Sequence, residues 1–219
     1  MIKLAVFDIA GTILSDDGVV IDCFSSAFKE VVPSNWKTHQ AEFVAYARET
    51  MGQSKIEVFR HLLQSDDLAM QAADAFQRHY LATISKLKLF DGVILLFDAL
   101  RASGIQVALN TGFNRETLEV LLDKFHLRES IDASATQTEA GEGRPSPAMI
   151  ELVANQLGVG DRETVAVIGD TKSDIVAGIN FGAGLKIGVT TGEHDFETLD
   201  GAGADFVISH VTQVDQLLS

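Results

Sequence analysis

Over residues 88–219 short apolar runs alternate with segments of helical period, and few folds accommodate that alternation. The runs span residues 105–109, 165–168, 185–189 and 206–208, and helices are expected near 93–103, 114–125, 147–157 and 172–180. One more run, residues 2–7, opens the chain. Short apolar strands separated by helices pair in parallel through right-handed crossovers, which cover both faces of the sheet with helices. The expected fold class is therefore α/β, a doubly wound parallel sheet. Ligands of such sheets lie beyond the carboxyl ends of the strands, so the residues that end the strands are the candidates for a site.

The first run stops abruptly at Asp8, and Ile9-Ala10-Gly11-Thr12 follows as a tight turn containing glycine. A lone aspartate in that place has an ordinary explanation, because aspartates often end strands and begin turns. The second strand leads into Thr111-Gly112, a hydroxyl and an unhindered N–H before a helix for which Asn114 is a natural N-cap. Arg115, in the first turn of that helix, is placed to reach an anion or to be solvated. In Gly143-Arg144-Pro145-Ser146-Pro147, Ser146 and Pro147 suit the start of the next helix and leave the Arg144 fork free for a phosphoryl oxygen pair. Gly169-Asp170-Thr171-Lys172-Ser173-Asp174 brings two carboxylates to a helix start, where Thr171 and Asp174 fit a capping-box variant and Asp170 does not. Asp8 paired with Asp170 would give the sparse oxygen ligation typical of Mg²⁺.

Between the first strand and the alternating region the pattern is helical throughout. Asp16-Asp17-Gly18 reads as a linker, Phe24, Phe28 and Val31 recur at helical spacing, and Pro33-Ser34-Asn35 breaks the run. Helices are then expected over 41–50, 52–64 and 66–84, which makes residues 16–87 a helical insert. The six histidines show no metal-ligand spacing.

Charge excludes some partners. With 31 acidic and 17 basic residues the formal charge is −14, a field that repels nucleic acid and anionic membranes. An anionic substrate would need local cations or a bound metal to overcome it. Cys23 is the only cysteine, which removes an intrachain disulfide and fits a reducing cytoplasm. No run approaches the ~18 apolar residues of a membrane span, and the first run lacks the flanks of a signal peptide. A cytoplasmic monomer or homodimer is expected.

Together the four strand-end segments resemble the haloacid dehalogenase-like hydrolase superfamily, whose motifs stand here as Asp8-Ile9-Ala10-Gly11-Thr12, Thr111-Gly112, Arg144 and Gly169-Asp170 through Asp174. The resemblance implies a Rossmann-like core over 1–15 and 88–219 with a helical cap domain over 16–87. It implies that Asp8 is a nucleophile forming an aspartyl-phosphate and that Thr111 and Arg144 hold the phosphoryl group. Gly11, Thr12, Met51, Gly112 and Arg115 would bind substrate. Asp8, the Ala10 carbonyl and Asp170 would bind Mg²⁺, with Asp174 behind them. An anionic nucleophile attacks phosphorus only where cations neutralise the repulsion, so the physical logic agrees.

Two departures narrow the expectation. Most phosphatases of the superfamily carry a general-acid aspartate two residues after the nucleophile, where this chain has Ala10; a positioned acid is worth ~10²- to 10⁴-fold in rate. Arg144 stands where most members have lysine. Both resemble the phosphonoacetaldehyde hydrolase branch, which also carries Met-Gly-x-x-Lys in its cap, here Met51-Gly52-Gln53-Ser54-Lys55. The resemblance implies a Schiff base between Lys55 and the substrate aldehyde, so that carbon leaves phosphorus as an enamine and needs no acid. Lys55 would require a depressed pKa, which burial and a helix N-terminus both favour. That branch has a histidine three residues after the lysine where this chain has Val58, and neighbouring Glu57 is the candidate substitute. The expected function is Mg²⁺-dependent C–P cleavage of a 2-oxoalkylphosphonate. The alternatives are a small-molecule phosphatase acting on a phosphate monoester and a non-catalytic phospholigand-binding protein. A dehalogenase is disfavoured, because that branch lacks the metal carboxylates.

Overall fold

The computed structural model describes residues 1–218. A six-stranded parallel sheet runs through it in the order β3-β2-β1-β4-β5-β6. Its strands are β1 (Leu4–Phe7), β2 (Gln106–Thr111), β3 (Ala133–Thr136), β4 (Val165–Gly169), β5 (Leu185–Val189) and β6 (Phe206–Ile208). This is the α/β doubly wound arrangement that the alternation requires. Central β1 pairs Phe7 with Leu109 of β2 and with Ile168 of β4, so the carboxyl ends of the three strands lie level and Asp8, Asn110-Thr111 and Gly169-Asp170 emerge along one edge.

Helices α1 (Val19–Val31), α2 (Pro33–Glu49), α3 (Lys55–Leu63) and α4 (Asp66–Thr83) follow β1 without an intervening strand. The later helices are α5 (Val93–Ala102), α6 (Arg115–Lys124), α7 (Gln137–Ala140), α8 (Ala148–Gln156), α9 (Lys172–Phe181), α10 (Phe196–Gly201) and α11 (Val214–Leu218). The α1–α4 block is held by aromatic packing. The Phe24 ring lies 4.9 Å from both Phe59 and Phe76, and Phe28 packs against Trp36 and Phe43. Deleting one such ring costs ~3–5 kcal/mol, so the block depends on a handful of side chains. On the opposite face of the sheet, Met149, Ile150 and Val153 of α8 close a second cluster over Leu4, Val6 and Val167.

Several boundaries differ from the sequence expectation, each for a local reason. The first helix ends at Val31 ahead of Pro33 as expected, but α2 starts at Pro33 and not near residue 41, since proline's missing N–H costs nothing in a first turn, and the helix is kinked at His39. The expected helix over 52–64 begins only at Lys55, because Gly52 has φ 82° and Ser54 accepts the Glu57 N–H as N-cap. Strand β3, Ala-Ser-Ala-Thr, was not expected: small and polar residues at the edge of a sheet carry no hydrophobic signature. Helices α10 and α11 were likewise unforeseen; both are short.

Candidate functional site

Where the level strand ends face the α1–α4 block they form a cavity lined by Asp8, Ala10, Thr111, Gly112, Arg144 and Asp170 below and by Asp16, Met51, Gly52 and Lys55 above. The floor is built from paired charges. Buried Arg144 donates from Nη2 to Asp8 Oδ1 at 2.7 Å and from Nη1 to Asp174 Oδ1, so both ends of its fork are held by carboxylates. Its Nε is buried with no partner among the described residues and is left as a donor for an anion. Asp174 has a double task, since its other oxygen accepts the N–H of Thr171 at 3.1 Å and the Thr171 hydroxyl at 2.5 Å, closing the expected capping box of α9.

Asp170 is held differently. Thr12 donates its hydroxyl to Oδ1 and the Glu193 N–H points at Oδ2, each at 3.0 Å, and no cation is paired with it. Burial, with Asp8 and Asp174 nearby, pushes Asp170 well above the ordinary carboxylate range. Burial also raises Asp8, to about 6, although the Arg144 charge opposes it. Three buried carboxylates against one arginine leave an excess of negative charge. Among the described residues no three His, Cys, Asp or Glu side chains form a metal cage. The arrangement instead suits a hard cation taking two carboxylates and a backbone carbonyl, since Asp8, Ala10 and Asp170 share the cavity and Asp170 lacks a counter-charge. Room up to Asp170 is kept by glycines: a Cβ on Gly11 would stand 2.4 Å, and one on Gly192 1.9 Å, from Asp170 Oδ2. The residues present therefore fit Mg²⁺.

The one cation of the roof is Lys55, the first residue of α3. Its ammonium lies 5.7 Å from the Phe24 ring, 5.9 Å from Phe76 and 6.0 Å from Phe113, and its hydrogen bond is a long one to the Gln53 carbonyl at 3.5 Å. Burial first, then the Arg144 charge, lowers its pKa to about 8, against the pull of Asp8, Asp16 and Asp170. Roughly a tenth is then free amine at pH 7. The loop carrying Lys55 is pressed onto the core. Ser173 donates to the Met51 carbonyl at 2.8 Å, and a Cβ on Gly52 would meet Thr171 Oγ1 at 2.5 Å.

Most of the expected residues meet here. Gly11 and Thr12 act through Asp170 rather than on the cavity. Arg115 is the expected contact that the structure does not bring in. Glu139 takes its guanidinium at 2.8 and 2.5 Å, with Glu119 and Ser134 completing the grip, because helix α6 turns that face toward β3 and α7. Glu57 is corrected too: it is exposed and paired with Arg60, away from Lys55. Asp16, read as linker, lines the cavity, as do Phe113 and Glu193, which is bound to Arg48 at 2.5 Å. Phe113 follows Thr111-Gly112 directly and was findable by its place; Glu193 sits in a loop after β5 with no pattern to mark it.

The family model for haloacid dehalogenase-like hydrolases matches residues 2–182. Among curated relatives, the chain is 28% identical over 214 residues to phosphonoacetaldehyde hydrolase of Bacteroides fragilis, covering 89% of this chain and 78% of the relative. It is 26% identical over 189 residues to pyrophosphatase PpaX of Halalkalibacterium halodurans, covering 86% and 83%. Among solved structures, the phosphonoacetaldehyde hydrolase like protein from Oleispira antarctica superposes with a TM-score of 0.82 at 23% identity, over 99% of this chain and 91% of the other.

Proposed function

The chain belongs to the haloacid dehalogenase-like hydrolases, and within that family we propose that it cleaves the carbon–phosphorus bond of a small 2-oxoalkylphosphonate of the phosphonoacetaldehyde type. The observation that carries this reading is the Lys55 amine, enclosed by three aromatic rings in the same cavity as Asp8, above a floor whose acid position is Ala10. A lysine amine set among aromatic rings and ion-paired to no described carboxylate is costly to keep charged, and a lowered pKa makes it a nucleophile for carbonyl carbon. The relatives named as phosphonoacetaldehyde hydrolases support the same assignment.

The reaction then runs as follows. The phosphonate lies on the floor, with Arg144 Nε and the Thr111-Gly112 turn as donors to its oxygens. Asp8, the Ala10 carbonyl and Asp170 would hold Mg²⁺, which would supply positive charge to offset repulsion between the phosphonate and Asp8. Lys55 condenses with the carbonyl to give a protonated imine and water. Arg144, bonded to one Asp8 oxygen, fixes the carboxylate so that its other oxygen can attack phosphorus. The C–P electron pair moves into the imine and leaves as an enamine on Lys55. Water hydrolyses the aspartyl-phosphate, and the enamine takes a proton at carbon and is hydrolysed to free aldehyde.

A second reading, phosphate-ester or pyrophosphate hydrolysis, is supported by the likeness to pyrophosphatase PpaX. Pyrophosphate would leave as a weakly basic phosphate and so tolerate the missing acid. A phosphate-release screen over phosphonoacetaldehyde, phosphate monoesters and pyrophosphate separates the two. The expected result is phosphonoacetaldehyde turnover that falls at least ~10³-fold in Lys55→Ala, on the scale of a lost covalent catalyst. Equal activity of wild type and Lys55→Ala on every substrate hydrolysed would reject C–P cleavage.

A further inference from the structure

The proposed imine chemistry needs a group to move protons between nitrogen and oxygen, and neither Val58 nor Glu57 is that group: Val58 is apolar and Glu57 faces solvent beside Arg60. We propose, resting on the C–P reading above, that Asp16 is the proton-transfer residue for imine formation on Lys55.

Asp16 lines the cavity with Lys55, Ala10 and Asp8, on the segment that joins β1 to α1. Its Oδ1 accepts the Val20 N–H at 3.0 Å, which anchors the side chain at the start of α1. Its other oxygen is bonded to no described residue and is free to exchange a proton. The groups that act on it are Lys55, which favours the carboxylate, and Glu193 and Asp17, which oppose it. On the neighbouring helices, Cys23 of α1 and Tyr80 of α4 feel its charge; burial keeps the Cys23 thiol protonated, up to about 11, and Tyr80 well above its ordinary range. Burial likewise holds Asp16 above the usual carboxylate value, with the Val20 N–H and Lys55 pulling it back, closer to working pH than an exposed aspartate.

The proton balance closes on Asp16 alone. The Lys55 ammonium gives one proton to the Asp16 carboxylate, and the free amine adds to the carbonyl carbon. A second proton passes from nitrogen to the new oxygen, forming the hydroxyl of the carbinolamine. Asp16 returns its proton to that hydroxyl, which leaves as water, and the nitrogen keeps one proton in the iminium. No outside acid or base is consumed.

The test is the rate of borohydride trapping of phosphonoacetaldehyde on Lys55, followed by peptide mass across pH 6–9 in wild type, Asp16→Asn and Asp16→Ser. Both substitutions keep an oxygen that can accept the Val20 N–H, so α1 retains its start, and melting curves check the fold. The expected loss is ~10²-fold in trapping rate with a flattened pH profile, the scale of a lost proton-transfer group. The loss should be at least tenfold smaller for p-nitrophenyl phosphate, a substrate that forms no imine. Wild-type trapping with no loss in either folded variant overturns the role of Asp16 and leaves the C–P reading standing. Absence of any Lys55 adduct in wild type overturns both.

Discussion

The floor and the roof of the cavity handle charge in opposite ways. On the floor, Arg144 is shared between Asp8 and Asp174, and Thr12, Thr171 and the Glu193 N–H take up most of what remains. On the roof, Lys55 has three aromatic faces and one long bond to a carbonyl. Pairing fixes geometry and holds a charge in place, whereas enclosure without a partner weakens the charge and leaves a reactive neutral atom. In the proposed reaction the floor holds and attacks an anion, and the roof attacks a carbonyl.

Breaking the floor is expected to have the largest effect. Asp8→Asn keeps the shape but removes the proposed nucleophile, and phosphate release from any substrate should drop on the order of 10⁴-fold or more. Residual turnover within tenfold of wild type would show that another group attacks phosphorus. Ala10→Asp tests the contrast from the other side by giving the floor the acid it lacks. Hydrolysis of alkyl phosphates should rise by roughly 10²-fold, and that activity should be insensitive to Lys55→Ala, as measured by initial rates. The smallest effect sharpens the account of the roof. Burial and the Arg144 charge disfavour the Lys55 ammonium, so its amine is released near pH 8, below the ordinary lysine value of 10.5. The rate of Lys55 modification by an acylating reagent should therefore rise roughly tenfold from pH 7 to above 9 with a midpoint near 8, where an exposed lysine would still be climbing.

Floor and roof were also unequally legible in the sequence. Asp8, Thr111 and Asp170 stand at strand ends and Asp174 in the first turn of α9, where side chains of a parallel sheet converge, and Arg144 joins them from the loop between α7 and α8. The roof is set by packing between segments far apart in the chain, which periodicity does not encode. Lys55 was found through Met51-Gly52, while the rings around it come from α1, α4 and the loop after β2. Asp16-Asp17-Gly18 is the linker its composition suggests, but composition does not show that the first of its aspartates lines the cavity. Arg115 failed in the reverse sense: its place in the first turn of α6 was right, but acidic neighbours on β3's flank claimed it.

The tight seat of the Met51-Gly52 loop on the core has a consequence for selectivity. Were that loop lifted, water would reach the amine and favour its ammonium form, so in the proposed reaction Lys55 serves as a nucleophile only beneath the seated loop. Stray metabolic aldehydes that cannot also satisfy the anion cradle beneath would meet a disarmed lysine, and the chain would be spared adduct formation by compounds it does not process.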